Sequence, residues 1–300
     1  MSERDQRTIL VTGSAGNVGT ELVKQLSNSD AIFRAGVHSN ESADKIRKIS
    51  SRAQLVQLDY DKPETLSRAC EGVNKIFLLT PGSPRAVEYA SNLVNEAKKA
   101  GVMHIVRQSV LGADAEPGIY NYVRLHRQVE KIIEESRIPY TFLRPNFFMQ
   151  NFVNFYSSII KSQGVIYAPI GDGKVSFVDV RDIAGVAAKV LTEHDESGRR
   201  HIGKAYDITG PEALSYYQMA EILSNAVGKK INYANIPEAD ARRVMKDMGM
   251  DEWTINIALE LFDNYRKGNA SQVFDGVESI TGNKSISFHQ FAEDYVGAFR

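Results

Sequence analysis

Six short, continuously apolar runs, each separated from the next by a stretch with helical spacing, fill the first half of this chain: Thr8–Thr12, Ile32–His38, Leu55–Leu58, Ile76–Thr80, His104–Ser109 and Thr141–Arg144. A strand that is apolar along its whole length must be covered on both faces. The intervening segments supply that cover. In "PRAVEYASNLVNEAKKAG", Val87, Ala90, Leu93, Val94 and Ala97 share one helical face, and Gly101 offers a stop. Such β-α-β wiring predicts an α/β fold with a Rossmann-like, doubly wound parallel sheet, whose ligands lie beyond the carboxyl ends of the strands.

After Pro145 the pattern loosens. The stretch "FFMQNFVNFYSSII" spaces Phe148, Phe152, Phe155 and Ile159 as one helix, the turn-rich "APIGDGKVSFVDV" follows, and a further helix starts at Arg181. A strand at Tyr206–Thr209 returns to the sheet, while helices at Ser215–Val227, Pro237–Met248, Trp253–Lys267 and Phe288–Phe299 form a smaller, mostly helical C-terminal lobe. Ser215 with Gln218 fits a capping box. The expected division is 1–153 for the Rossmann-like domain and 154–300 for the lobe, with 175–209 returning to the sheet.

Charge narrows the partners. With 36 Lys and Arg against 37 Asp and Glu the net charge is −1, and no basic run marks a nucleic-acid or membrane surface. The expected partner is a small molecule, with a homodimer allowed. A single cysteine, Cys70, a charged N-terminus and the lack of an apolar run of about 18 to 20 residues predict a cytoplasmic protein. The six histidines and Cys70 show no metal-ligand spacing, and no GxSxG elbow appears, so neither a metal nor an esterase is expected.

The first apolar run feeds "VTGSAGNVG", where Gly13, Gly16 and Gly19 open an amphipathic helix that buries Val18, Leu22, Val23 and Leu26. Strand, glycine turn and helix together form the context in which a pyrophosphate meets free backbone N–H groups at a helix start. The competing reading is a corner that only packs helix on strand. At the end of the second strand, His38, Ser39 and Asn40 offer no carboxylate to a ribose, and Glu41 is the first. That favours NADP, with His38, Arg34 or Lys45 meeting a 2′-phosphate, while NAD is also admitted. After the third strand, Asp59 either accepts from the adenine amino group or caps its own loop.

Three stretches together, "VTGSAGNVG", "HRQVEKIIEESRIPYTFLRPNFFMQNF" and "FVDVRDIAGVAAKVL", resemble the NmrA-like branch of the atypical short-chain dehydrogenases over nearly the full chain. The resemblance implies NADPH as hydride donor to a quinone, dye or similar conjugated acceptor. It implies cofactor contacts from Gly13, Ser14, Gly16, Asn17, Val18, Gly19, His38 and Asp59, from Leu79, Thr80 and Pro81, and from Ser109, His126, Pro145, Asn146, Phe147 and Phe148. His38 stands where the family commonly has arginine.

The wider dehydrogenase group reduces carbonyls with a Tyr-x-x-x-Lys pair, and here "YNYVRLHR" sets Tyr122 and His126 on one helical face as the candidate catalytic pair. The lysine that would lower the tyrosine's pKa is missing, and a neutral imidazole replaces it weakly. Quinones and dyes ease this demand, because hydride moves directly to an electron-poor centre. Phe147, Phe148, Phe152 and Phe155 are candidates to wall such an acceptor. The alternatives are a non-catalytic NADP-sensing regulator and, disfavoured by the missing lysine, a nucleotide-sugar epimerase or dehydratase. The charged block Asp179, Arg181 and Asp182 reads as a helix start rather than a catalytic cluster, and Arg144 reads as structural.

Overall fold

The computed structural model describes residues 7–115, 120–193 and 199–300. The chain begins β1 (Thr8–Val11), α1 (Asn17–Ser27), β2 (Ile32–Val37), α2 (Asn40–Ile49), β3 (Gln54–Gln57), α3 (Pro63–Cys70), β4 (Lys75–Leu78) and α4 (Ala86–Lys99). It continues β5 (His104–Gln108), α5 (Asn121–Ser136), β6 (Tyr140–Pro145), α6 (Ser157–Gln163), β7 (Val165–Ala168), β8 (Lys174–Val175), α7 (Val180–Thr192) and β9 (Lys204–Ile208). Last come β10 (Leu214–Ser215), α8 (Tyr216–Val227), β11 (Asn232–Asn235), α9 (Glu238–Asp247), α10 (Glu252–Arg266), α11 (Gly276–Thr281) and α12 (Phe288–Asp294).

Two compact units divide the chain. The first comprises 1–118, 123–145 and 180–207, and the second 119–122, 146–179 and 208–300. The first is a Rossmann-like sheet in the order β3-β2-β1-β4-β5-β6-β9, with every neighbouring pair from β3 to β6 parallel. Strand order reverses between β1 and β4, the switch point where such sheets open a crevice. On one face α3, α4 and α5 press Leu66, Leu93, Val129 and Ile133 against Leu10, Ile76, Ile105 and Phe142. Each such fully buried side chain contributes roughly 1.5–3 kcal/mol. Against the other face α7 packs beside α1, and Gln25 Nε2 ties the pair by donating to the Arg181 carbonyl at 3.1 Å.

Within this unit α5 is locked to β6 by Arg144, whose guanidinium makes two 2.9 Å bonds to the carboxylate of Glu130. Both groups are buried. Removing one partner of such a pair costs about 3–5 kcal/mol, so Arg144 has a structural task.

In the second unit, two-stranded pairs β10-β8 and β11-β7 join α6, α8, α10 and α12 around Phe152, Ile166, Tyr216, Leu223, Phe288 and Phe291, while α9 packs on α10 through Ala241, Met245, Ile255 and Leu259. The capping box at Ser215 and Gln218 starts α8, and Asp251 and Ser287 cap α10 and α12. The single helix expected from Phe148 does not form. Phe148 makes a bridge with Val178, whose N–H donates to the Phe147 carbonyl at 2.8 Å while its own carbonyl accepts from Met149 at 2.9 Å. Helix starts only beyond that bridge, first as a π-helical turn at Phe152–Tyr156. Phe152 is thereby fully buried and Phe155 is 53% exposed. Similarly, α12 stops at Asp294, and a 3₁₀ turn at Val296–Ala298 finishes the expected segment.

Among the described residues no helix is long and apolar enough to cross a membrane, and no group of three His, Cys, Asp or Glu gathers as for a metal. Cys70 is buried and free, its thiol pushed up to about 12 by burial.

Candidate functional site

In the first unit the glycine turn separates its three glycines by task. Gly13 has φ of 60°, and a Cβ there would lie 2.5 Å from Leu79 Cδ2. A Cβ on Gly19 would fall 2.1 Å from the Gly13 carbonyl oxygen. Those two glycines are demanded by the corner itself. Gly16 is different: it is the exposed N-cap of α1, makes no side-chain cap, and precedes a first turn with no acidic residue. By contrast α2, α8, α10 and α12 all begin with a side chain that accepts from the helix backbone. The first N–H groups of a helix have no intrahelical partner, and its N-terminus carries positive partial charge. Asn17 is exposed, Val18 and Gly19 are buried, and Ser14 spends its hydroxyl on the Gly36 carbonyl at 2.7 Å. What the turn presents is therefore backbone.

His38 is exposed just past β2, and Ser39 is used locally in the capping box of α2. Of the other two cations considered for a 2′-phosphate, Lys45 reaches the turn and donates to the Ala15 carbonyl at 2.7 Å. Arg34 does not, because its guanidinium donates to the Glu71 carbonyl beyond the end of α3. Asp59 is half-buried and ties its own loop through Lys62 Nζ at 3.0 Å and the Asp61 N–H at 3.0 Å. The Lys62 bond, with the nearby charge of His38 as a smaller contribution, holds its carboxyl below the usual range.

The loop after β4 is pinned from beneath. Thr12 Oγ1 accepts from the Leu79 N–H at 2.7 Å, and the Tyr60 hydroxyl donates to the Leu79 carbonyl at 3.0 Å. Burial pushes that phenol up to about 12. Arg107, buried in β5, donates to the Leu78 carbonyl at 3.1 Å and to Thr80 Oγ1 at 3.3 Å. Pro81 is exposed beyond them. The glycine turn, Leu79 and Thr80 are thus brought to one end of the sheet.

At that same end the polar accounting fails to close. Among the described residues, the buried side-chain polar atoms without a hydrogen-bond partner are Arg107 Nε, Gln108 Oε1, Ser109 Oγ and His126 Nδ1. Buried polar groups are almost always paired in folded proteins, so a cluster of orphans marks a place where something else completes them. His126 is held down to about 3, first by burial and then by the charge of Arg107, so the imidazole is neutral. The glycine cradle, the uncapped helix and the orphaned Ser109 and His126 fit a dinucleotide. Pro145 ends β6, its carbonyl taken by the Leu111 N–H at 3.0 Å.

The second unit holds the remaining candidates. Tyr122 belongs to the first turn of α5, and its hydroxyl accepts from Asn264 Nδ2 at 3.0 Å. Burial, then the neighbouring Tyr120 and Glu260, push the phenol well above its ordinary pKa. Asn146 gives its amide hydrogens to Ser176 Oγ at 2.8 Å and the Ala270 carbonyl at 2.9 Å, and its Oδ1 accepts from the Phe147 N–H at 3.0 Å. Its side chain is a structural knot. Phe147 is half-buried and edge-on to Tyr122 and Tyr265, with ring centroids 5.9 and 4.9 Å apart, and Phe148 is half-buried too. Phe152 lies in the core and Phe155 faces solvent, so neither is offered to a pocket within this unit.

Thr12, Tyr60 and Arg107 escape a reading by motif. Only Arg107 leaves a signal, as a lone charge in "HIVRQS".

The description of the NmrA-like family matches residues 5–296. An NAD(P)H azoreductase of Xenophilus azovorans is 36% identical over 97% of this chain and 99% of its own. An NADPH-dependent quinone oxidoreductase of Escherichia coli, solved with NADPH, superposes with a TM-score of 0.84 at 26% identity, covering 95% of this chain and 99% of that one. The triphenylmethane reductase of Citrobacter sp., solved with NADP(H), gives 0.83 at 26% identity over 96% and 99%.

Proposed function

We propose, from the premise that this chain belongs to the NmrA-like family, that it is an NADPH-dependent reductase passing a hydride to a conjugated small molecule such as a quinone or an azo compound. The observation that carries the reading is the convergence, at the carboxyl ends of β1, β4 and β5, of a glycine turn, an uncapped helix start and orphaned polar atoms. Bound NADPH supplies the hydride. The residues named above bind and orient: backbone N–H groups from Gly16 to Gly19 face the diphosphate, and Leu79, Thr80 and Pro81 border its path. Ser109 and His126 meet the nicotinamide nucleotide with hydrogen bonds they lack within the protein. His38 and Lys45, with no carboxylate between Val37 and Asn40, favour a 2′-phosphate over a bare ribose.

Tyr122 is not activated as an acid in this scheme. With no cation against it and Asn264 donating to its oxygen, the phenol stays protonated and serves as a hydrogen-bond donor. The one proton that accompanies the hydride in reducing a quinone or an azo bond then comes from water. Phe147 and Phe148 offer aromatic surface of the kind a planar acceptor stacks on.

Mixing the protein with NADPH and a panel containing a simple quinone, an azo dye and a cationic dye tests the proposal by loss of NADPH absorbance. Multiple turnovers with at least one acceptor are expected. Tight NADPH binding with no oxidation across the panel contradicts it and leaves the nucleotide-sensing regulator in its place.

A further inference from the structure

Arg107 is a charge buried to 3% exposure, and among the described residues no carboxylate pairs with it. A buried ion without a counter-charge is costly, and the guanidinium's partners are one carbonyl and one hydroxyl. Strand alternation places it on the same face as Ile105, the face that α5 covers through Val129 and Ile133. On α5, one turn before Glu130, stands His126. Arg107 Nε and His126 Nδ1 are both buried and both without a partner, while His126 as a residue is half-buried.

A proton on Nδ1 would set a second buried N–H donor near Arg107 with nothing to accept either. A bare Nδ1 instead keeps a lone pair in the field of the positive charge, which one buried water can bridge. We propose that Arg107 is a positioning residue that fixes His126 in a single neutral tautomer, Nδ1 bare and Nε2 protonated, making the imidazole a permanent hydrogen-bond donor to an oxygen of the bound nicotinamide nucleotide. The ligand in that statement rests on the reductase reading; the tautomer does not.

The other charged and titratable groups around the pair leave the assignment intact. Tyr60, next to Arg107 from the loop after β3, is protonated. Glu130, which also acts on Arg107, is already held by Arg144 and Arg127. Tyr122, one turn earlier on α5, is likewise protonated. Arg107 itself is pulled to about 10 by burial and remains charged at neutral pH. It substitutes for a protonated lysine in a different way: it supplies fixed charge from below while the histidine supplies the contact.

The test is long-range 1H–15N correlation on the full chain labelled at histidine nitrogen, with the His126 signals assigned by their loss in His126→Gln. The native protein should show one neutral form protonated at Nε2 and unchanged from about pH 5 to 8. Arg107→Gln should give mixed tautomers and move the titration upward, still below the ordinary value because burial persists, and Arg107→Lys should restore the native pattern. A native His126 that is protonated at Nδ1, or that titrates near 6.5, overturns the proposal. So does an Arg107→Gln spectrum identical to native, and a failure of Arg107→Lys to restore it overturns the role of charge. Should Arg107→Gln not fold, the native spectrum alone decides. NADPH titrated into the same sample separates the two readings: an intact tautomer with no response to NADPH sinks the reductase reading and spares this one.

Discussion

At the start of β5, His104 Nε2 lies 2.9 Å from Thr141 Oγ1, which donates at 2.7 Å to the His201 carbonyl. His201 in turn meets Glu193 at 2.6 Å and the Tyr206 hydroxyl at 2.9 Å, and the buried Lys75 ammonium donates to the Leu191 carbonyl at 2.6 Å. At the other end of the same strand, Arg107, Gln108 and Ser109 each bury an atom with no partner. One end of the sheet is closed by the protein's own groups. The carboxyl end keeps unmet hydrogen-bonding capacity, which is where a doubly wound sheet takes its ligand. On the proposed function, stability and binding are segregated along a five-residue strand, so substitutions at its two ends should separate cleanly.

The largest expected effect is at the binding end. Gly19→Ala forces a methyl group to within 2.1 Å of the Gly13 oxygen, so the turn must open. NADPH affinity, followed by cofactor fluorescence, should fall more than about 100-fold, roughly 2.7 kcal/mol. An unchanged affinity would break the assignment of the cradle.

Next comes acid sensitivity of the closed end. Burial, with help from Lys75 and His201, holds His104 down to about 4. The unfolded chain takes that proton near pH 6.5 and the folded chain refuses it, so stability is full above about 6.5 and is lost as pH falls toward 4, by up to about 3 kcal/mol. Urea midpoints against pH should show this slope, and His104→Gln should shrink it. His126 contributes with the same sign, so part of the slope should remain.

Smaller, and sharper as a contrast, are Thr141→Val and Ser109→Ala. Thr141→Val leaves His104 and the His201 carbonyl without their bonds and should cost about 1–3 kcal/mol in urea unfolding with NADPH affinity unchanged. Ser109→Ala removes a hydroxyl that has no partner, so stability should hold or rise slightly. Its NADPH affinity should drop about 3- to 10-fold, the value of one hydrogen bond. Exchanged outcomes for the two variants would erase the distinction between the ends.

Much of this was legible in the residues. The six apolar runs become β1 to β6 because most of their side chains are buried under helices, and Ser215 with Gln218 caps α8 because that pairing satisfies helix N–H groups locally. Less local features were hidden. Helical spacing at Phe148 could not reveal the backbone bridge to Val178, thirty residues away, that delays the helix. Nor could composition show that Arg34 turns to Glu71 while Lys45 turns to the glycine turn, since side-chain direction depends on which ends of the sheet each element joins. Arg107 passed unnoticed within an ordinary strand, and its missing counter-charge among the described residues is a property of the packed interior alone.

Titrating NADPH into the labelled protein and mapping which backbone amides respond locates the cofactor on one end of the sheet or the other. A saturable one-to-one complex is expected, with perturbations centred on Gly13–Gly19, Leu79–Thr80, Ser109 and His126 and with His104, Thr141 and His201 quiet. Responses centred on the His104 end, or none at millimolar NADPH, would contradict it.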